Sequence, residues 1–259
     1  MPRREEFDRS ARYYDEIRPG YPEELIEDII TLSEIPENGR IIEIGCGSGQ
    51  ATLPFARRGY EILCLDIGKN LLNIARNKLS KYKKVKLINT SFEDWAPELE
   101  QFDLLISATA FHWINPEIGF RKAAKTLKKD GCIALFWNLH PTPYTGFFRD
   151  AQRVYQKVVP EWENPCEGLN TEEKIKNLRD KMDPLSLFED FEVRRYRWDR
   201  QYSSSEYLKL LETYSDHISL EENRKIELYE GIKEIIDNGY DGTIVRPYLS
   251  VLYIAEKKS

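Results

Sequence analysis

Three glycines and two acids in the first third of the chain have the residue types and spacing of a nucleoside-binding site. Residues 41–49 read Ile-Ile-Glu-Ile-Gly-Cys-Gly-Ser-Gly, so an apolar run passes directly into alternating glycines. Glycines let a backbone approach a ligand closely, and the following amide groups favour a negatively charged group. A second apolar run ends at Asp66, whose carboxylate can accept both hydroxyls of a ribose. Together they predict a strand–loop–helix–strand unit around a nucleoside.

The glycine spacing differs from that of dinucleotide-binding proteins. Their fingerprint is G-x-G-x-x-G, whereas this loop reads G-x-G-x-G and has Gln50 where the third glycine would stand. An acid, Glu43, also lies inside the first predicted strand. No second nucleotide-binding half is visible in the sequence, so NAD is the weaker alternative.

Predicted strands and helices alternate through the first half of the chain, and they would hold this loop in place. Short apolar runs without polar alternation indicate strands covered on both faces. These predicted strands are residues 41–45, 60–66, 85–89, 102–107 and 132–137. Apolar residues at helical spacing predict helices over 51–58 and 69–79 and a helical stripe over 120–127.

The pattern changes after Asn138. The predicted helices are residues 147–159, 171–182, 204–214 and 220–238, and the predicted strands are 191–198 and 243–256. The fold class is α/β: a doubly wound, Rossmann-like, mostly parallel seven-stranded sheet with an antiparallel C-terminal strand and helical lid insertions. We expect one integrated domain, with an N-terminal cap and first helix (1–36), a ligand-binding core (37–138), and lid helices with the last strands (139–259).

Bulk composition favours a soluble, cytoplasmic globular protein. The chain has 259 residues, 41% of them hydrophobic, and a formal net charge of −6. This charge makes nucleic acid an unlikely partner. No apolar run approaches the roughly 20 residues of a membrane helix, and no signal peptide is recognisable. Four cysteines without a C-x-x-C pair fit reduced thiols. The oligomeric state is not predicted.

Residues 40–138 resemble the core of class I S-adenosylmethionine-dependent methyltransferases, which share the E-x-G-x-G-x-G loop and the acid after the second strand. The resemblance implies S-adenosylmethionine as cofactor and S-adenosylhomocysteine as product. Glu43 would position the loop, Asp66 would hold the ribose, and Ile67 would pack on the adenine. The implied cofactor contacts in this core are Glu43, Gly45, Cys46, Gly47, Gly49, Asp66, Ile67, Ser91, Phe92, Glu93, Ser107 and Ala108.

Two parts of that cofactor site leave alternatives open. The family often has an acid where this chain has Ser91, so Glu93 is a second candidate for the adenine amino group. The second open part is the aromatic segment before the first core helix. This segment is predicted to fold over the cofactor, with Tyr14 and Arg18 near the methionine carboxylate, since a guanidinium binds a carboxylate in a forked pair. The alternative is an arm that packs on the sheet.

His112 and Trp113 follow the fourth predicted strand, where ligands of open α/β sheets bind. The run resembles that of small-molecule methyltransferases, notably the trans-aconitate methyltransferase group. His112 is the candidate catalytic residue, as a general base or an acceptor-orienting group, and both residues are candidate substrate contacts. The alternative for His112 is a residue that caps the following helix or hydrogen-bonds to the cofactor. The alternative for Trp113 is a residue that packs under the cofactor or wedges against the sheet.

The acceptor is predicted to be a small molecule, with a carboxylic acid as one candidate because it is ionised at neutral pH and needs no base. The chain lacks an Asn-Pro-Pro-Tyr run and a Pro-Cys pair after the fourth strand, and its histidines give no metal pattern. An RNA or protein methyltransferase and a non-catalytic S-adenosylmethionine-binding regulator remain alternatives. The arginines that could bind an acidic substrate are Arg194, Arg195, Arg197 and Arg246.

Overall fold

A computed structural model of the chain describes residues 15–97, 99–162, 172–173, 175–176, 180 and 187–258. Tyr14 and most of the predicted helix 171–182 lie outside these residues. The helices are α1 Glu23–Leu32, α2 Thr52–Arg57, α3 Lys69–Leu79, α4 Pro116–Thr126, α5 Gly146–Val158, α6 Ser204–Leu211, α7 Ser215–Ile218 and α8 Glu222–Gly239. The strands are β1 Arg40–Ile44, β2 Glu61–Asp66, β3 Val85–Asn89, β4 Phe102–Ala108, β5 Leu127–Leu139, β6 Phe188–Ser203 and β7 Thr243–Lys257.

The strands form one seven-stranded sheet in the order β3-β2-β1-β4-β5-β7-β6. Neighbours from β3 to β5 pair in parallel. The sheet is mixed, with six parallel strands and an antiparallel C-terminal strand, which confirms the predicted fold class. The strand order reverses between β1 and β4, so the loops after these two strands open a crevice at one edge of the sheet.

Contacts within the chain define two compact units. The first, here called the helical unit, comprises residues 1–18, 139–174 and 197–249. The second, the sheet unit, comprises residues 19–138, 175–196 and 250–259. The domain boundaries predicted from the sequence stay predictions.

Apolar periodicity explains the core of each unit. In the sheet unit, α3 buries Leu72, Ala75 and Leu79 at helical spacing, against a core that includes Ile41 of β1. In the helical unit, α8 buries Leu228, Ile232 and Ile236, again one turn apart, in a separate apolar cluster. None of the helices in the described ranges is long and apolar enough to cross a membrane.

β3 and β5 differ from the predicted strands. β3 was expected to be covered on both faces, but it lies at the edge of the sheet and its residues are half-buried or exposed. β5 begins at Leu127, five residues before the predicted start at Cys132. The intervening segment is irregular: Asp130 has a left-handed backbone, and the pairing of β5 with β4 shifts register here, so the sequence shows no continuous apolar run.

Candidate cofactor and acceptor site

The glycine loop follows β1, and its three glycines serve different purposes. All three have left-handed backbones, with φ of +70° at Gly45, +53° at Gly47 and +79° at Gly49. A Cβ atom at Gly45 would lie 2.4 Å from the Cβ of Ala110, and one at Gly49 would lie 2.9 Å from a methyl of Leu79. These two glycines thus permit close packing.

Gly47 is different because open space surrounds it. Nothing in the described structure lies within 4 Å of a Cβ built there, although its backbone is also left-handed. Packing against protein atoms therefore does not explain this glycine, whereas the approach of a ligand does. The predicted contacts Gly45, Cys46, Gly47 and Gly49 are brought together here, and Cys46 is buried.

Asp66 ends β2 beside the glycine loop. The register pairs Ile44 with Leu65, so the loop and the acid meet at the same edge of the sheet. One carboxylate oxygen of Asp66 accepts from the Gly47 N–H at 2.7 Å, and the other accepts from the Gly68 N–H at 2.7 Å. A carboxylate oxygen has two lone pairs, so accepting one backbone N–H does not by itself prevent it from accepting a hydroxyl as well.

Glu43 is fully buried within β1. Its Oε2 accepts a hydrogen bond from the Thr52 hydroxyl at 2.6 Å, while Oε1 has no hydrogen-bond partner among the described residues. Burial raises the pKa of Glu43 from 4.5 to about 8, against the opposing effect of the Thr52 hydrogen bond. Glu43 is therefore mostly protonated at neutral pH. Thr52, which the sequence reading missed, ties the start of α2 to β1.

The predicted adenine side shows one exposed apolar residue. Ile67 directly follows Asp66 and is 39% exposed. Phe92 is buried and stacks on Trp95 with ring centroids 6.2 Å apart. The Ser91 hydroxyl donates to the Asp94 carboxylate at 2.7 Å and accepts from the Asp94 N–H at 3.0 Å. Ser91 thus caps a turn, and its adenine contact and that of Glu93 stay predictions.

Ser107 and Ala108 end β4. Ser107 is fully buried, and its hydroxyl donates to the Ile44 carbonyl oxygen at 2.8 Å, which joins β4 to β1. The predicted cofactor contact of Ser107 stays a prediction. Ala108 is half-buried at the strand end.

His112 lies in a short 3₁₀ turn, Phe111–Trp113, just after β4. The register places Ala108 opposite Phe136, so Trp137 of β5 reaches the same edge of the sheet. The indole N–H of Trp137 donates to Nδ1 of His112 at 3.2 Å. Because an indole nitrogen can only donate, Nδ1 must be unprotonated and the neutral ring carries its proton on Nε2. This favours an orienting donor over a general base.

The segment that precedes α1 is attached to the same strand ends. The Tyr21 and Thr109 hydroxyls are 2.8 Å apart, and the Tyr21 ring packs edge-on against Phe136 at 4.7 Å. The Asn138 side-chain amide donates to the Gly20 carbonyl oxygen at 3.0 Å. The sequence indicated an aromatic approach segment, but these partners, some 90 residues or more away along the chain, were not predictable.

Arg18 belongs to the helical unit. Its Nε–H donates to the Thr213 hydroxyl at 2.8 Å, one Nη donates to the Thr213 carbonyl oxygen at 2.7 Å, and the guanidinium lies 4.7 Å from the centre of the Tyr214 ring. The predicted contact of Arg18 with the methionine carboxylate stays a prediction. Tyr14 lies outside the described residues. Trp113 is half-buried beside His112, with ring centroids 4.9 Å apart.

Comparisons with known proteins agree with this geometry. A family model described as a methyltransferase domain matches residues 41–131. The chain is 30% identical over 151 residues to the protein named probable S-adenosylmethionine-dependent methyltransferase CRG1 of Saccharomyces cerevisiae, covering 57% of this chain and 51% of that one. It thus spans about half the length of that relative. An uncharacterised methyltransferase of Schizosaccharomyces pombe, C25B8.09, is 26% identical over 251 residues, or 94% of each chain.

Solved structures share the fold. A provisionally assigned type II methyltransferase from Anaeromyxobacter dehalogenans superposes with a TM-score of 0.61 at 20% identity, covering 93% of this chain and 96% of that one. Phosphoethanolamine N-methyltransferase 2 of Haemonchus contortus, solved with S-adenosylhomocysteine, gives 0.56 at 17% identity and covers 97% of this chain and 58% of that one.

The chain thus matches a methyltransferase domain over residues 41–131, and the relatives it resembles are named as methyltransferases. Its cofactor is S-adenosylmethionine. The residues present fit that group. The open space at Gly47, the acid beside it and the exposed Ile67 provide room for a nucleoside at the edge of the sheet.

Proposed function

We propose that this protein transfers the methyl group of S-adenosylmethionine to a small-molecule carboxylic acid. The observation that carries the proposal is the hydrogen bond from Trp137 to Nδ1 of His112. It favours an N–H donor at Nε2, which suits an acceptor that is already ionised. A hydroxyl acceptor would need a base instead, and the Nδ1-protonated tautomer that would free Nε2 for that purpose opposes the Trp137 N–H.

The chain's own residues supply positioning. In the proposal, Asp66 accepts the ribose hydroxyls, Ile67 packs on the adenine, and the Phe92 backbone N–H meets an adenine nitrogen. The glycine loop faces the methionine end, with Glu43 behind it and Tyr14 and Arg18 as further candidates there. S-adenosylmethionine supplies a methyl group activated by its sulfonium, so alignment of donor and acceptor is the main task of the protein.

On the acceptor side, His112 orients the carboxylate through Nε2–H, and Trp113 contributes a contact surface. A carboxylate has a pKa near 4 and is ionised at neutral pH, so no proton has to be removed before transfer. His112 is thus the proposed catalytic residue in an orienting role, and Trp137 is the residue that fixes its tautomer.

The names of some relatives support a small acceptor. A rice relative, 29% identical over 154 residues, is named 2-methyl-6-phytyl-1,4-hydroquinone methyltransferase 1. The Haemonchus structure contains phosphomonomethylethanolamine. The net charge of −6 also disfavours an RNA acceptor. A cytoplasmic location is part of the proposal and accords with the buried, unpaired thiols of Cys46, Cys64 and Cys132.

The test is transfer of a labelled methyl group to a metabolite extract separated into acidic, neutral and basic fractions. Label is expected in base-labile esters from the acidic fraction. His112→Ala should lower kcat by about 10–100-fold, and His112→Asn, which keeps an N–H donor, should recover part of the loss. Label in RNA or protein would replace the proposal with the macromolecular alternative. Cofactor binding without transfer to any fraction would favour the regulatory alternative.

A further inference from the structure

Arg246 of β7 is a buried cation in the helical unit. Its side chain is 7% exposed, and its Nη1 donates to the Tyr207 hydroxyl at 2.9 Å. Its Nε is buried and has no hydrogen-bond partner in the described structure. No carboxylate forms an ion pair with it among the described residues. A guanidinium that is removed from water without a counter-ion is unfavourable, and removing such charges from water normally requires a paired anion.

Aromatic rings surround the guanidinium. Its central carbon lies 5.6 Å from the ring centre of Phe148, 5.8 Å from that of Tyr207 and 5.9 Å from that of Tyr248. These rings offset part of the lost hydration through cation–π attraction. Burial raises the pKa of Tyr207 and of Tyr248, so both stay neutral and neither serves as a counter-ion.

A second buried polar group of the helical unit also has no hydrogen-bond partner among the described residues. The Tyr214 hydroxyl is buried without a hydrogen-bond partner in the described part of the chain. The rings of Tyr214 and Tyr248 both pack against the His140 ring, with centroids 5.6 and 5.2 Å away. By contrast, the Tyr202 and Tyr248 hydroxyls are 2.7 Å apart, and the Tyr155 hydroxyl lies 3.0 Å from Nε2 of His217. Several tyrosine hydroxyls of the helical unit are thus paired, whereas the Nε of Arg246 and the Tyr214 hydroxyl have no hydrogen-bond partner among the described residues.

Several other arginines of the chain are satisfied or exposed. Arg224 of the helical unit donates to the Val158 carbonyl oxygen and pairs with Glu161 at 2.7 Å. Arg194 pairs with Glu192 at 2.9 Å, and Arg197 is exposed. Arg246 therefore stands out from the set of basic residues that the sequence could not separate.

We propose that Arg246, Phe148, Tyr207, Tyr214 and Tyr248, here called the Arg246 cluster, bind the carboxylate of a small organic acid. With Nη1 committed to Tyr207, the Nε and Nη2 hydrogens form the remaining edge of the guanidinium. Two parallel N–H donors on one edge match the two oxygens of a carboxylate. The rings suit the apolar body of such an acid. This site stands without the proposed function, because the acid is either the methyl acceptor or an effector.

The test is calorimetric titration of the full chain with hexanoate and benzoate, and with hexanamide and benzamide as uncharged counterparts. At least one carboxylate should bind, with an affinity about tenfold or more above that of its amide. Arg246→Met should abolish that preference, whereas Arg153→Met, a matched change at an exposed arginine of the same unit, should leave it intact. The melting temperature of Arg246→Met should equal or exceed that of the wild type, because an unpaired buried charge has been removed.

The proposal is overturned if neither carboxylate binds, if the amides bind equally well, or if Arg246→Met keeps the preference. Inorganic phosphate that binds more tightly than both acids would also contradict it. If Arg246→Met does not fold, Arg246→Lys is tested instead, because it keeps the charge but removes the two parallel N–H donors. This variant must also lose the preference for the carboxylate over its amide. Unfolding of both variants would show that Arg246 is structural and would end the proposal. Incubation of the bound acid with the protein and S-adenosylmethionine then separates the two roles. Formation of its methyl ester identifies the acid as the acceptor, whereas binding without ester formation identifies an effector.

Discussion

At the scale of single residues, Glu43 is a buried carboxyl group whose pKa is raised. It is fully buried, one of its oxygens accepts from Thr52, and the other has no hydrogen-bond partner among the described residues. Burial raises its pKa to about 8, so the folded protein holds a proton that the unfolded chain releases near pH 4.5. Between these values the folded state binds more protons, and stability falls as the pH rises.

This linkage predicts a pH-dependent difference between the wild type and Glu43→Gln. From pH 5 to pH 8 the wild type should lose up to about 1.4 kcal/mol of unfolding free energy per pH unit relative to the variant. Urea unfolding of the cofactor-free proteins at pH 5.5, 6.5 and 7.5 measures it. Glu61→Gln, at a half-exposed carboxylate of β2, is the control and should follow the wild type. Parallel profiles for wild type and Glu43→Gln would show that Glu43 is not protonated when folded.

The hydrogen bond between Trp137 and His112 predicts a tautomer. Nitrogen-15 NMR of the neutral His112 ring should show the proton on Nε2 in the wild type. Trp137→Phe removes the donor and keeps an aromatic ring, so both tautomers should become populated and kcat should fall by about 3–10-fold with little change in KM. Trp95→Phe, a buried tryptophan elsewhere in the sheet unit, should leave the ring unchanged. An Nδ1-protonated wild type would contradict the geometry.

Residues that are neighbours in sequence were predictable, and residues that are neighbours only in space were not. The glycines, Glu43 and Asp66 follow one strand–loop–helix–strand unit, so their types and spacing sufficed. The bond from Trp137 to His112 required knowing that β4 and β5 are adjacent and in which register. The unpaired state of Arg246 depended on which of the chain's 44 acidic residues the fold places beside it.

At the scale of elements, the glycine loop separates packing from ligand access. Gly45→Ala places a methyl 2.4 Å from Ala110 in a left-handed backbone, so it should destabilise the fold by about 2–4 kcal/mol. Gly47→Ala meets no protein atom, so it should cost only about 1–2 kcal/mol of backbone strain while blocking the ligand's approach.

Thermal unfolding and S-adenosylhomocysteine titration of the two loop variants measure the contrast. Gly47→Ala should stay folded and lose about tenfold or more in affinity, whereas Gly45→Ala should lose mainly stability. Gly59→Ala, at another left-handed glycine with open surroundings away from the loop, should show the strain without the binding defect. Equal binding by Gly47→Ala and the wild type would show that the space beside Gly47 is not used.

Element boundaries could be predicted where a helix has a clear apolar stripe. α3 has the predicted bounds, Lys69–Leu79, because its buried leucines and alanine recur at helical spacing. Prediction was weaker where tertiary position decides. β3 lies at the sheet edge, where its residues are half-buried or exposed. β6 extends over Phe188–Ser203, and the prediction stopped at 191–198 because the many exposed residues of the strand resemble loop sequence.

At the scale of the whole molecule, ligand binding should raise stability. A ligand present at 100 times its Kd adds about 2.7 kcal/mol, which for a chain of this size raises Tm by roughly 5–10 °C. Differential scanning fluorimetry with S-adenosylhomocysteine measures this shift, and adenosine serves as the comparison nucleoside. A shift of equal size with both compounds would indicate a site that recognises only the nucleoside.

The central claim is that S-adenosylmethionine binds at the carboxyl ends of β1 and β2. Titration calorimetry with S-adenosylhomocysteine tests this claim most directly. The wild type should bind, and Asp66→Ala should lose about 100-fold in affinity, because the two hydrogen bonds from the ribose hydroxyls to the carboxylate are removed. Glu61→Ala, at the opposite end of the same strand, should bind like the wild type. Absence of binding to the wild type, or equal binding by Asp66→Ala, would contradict the account.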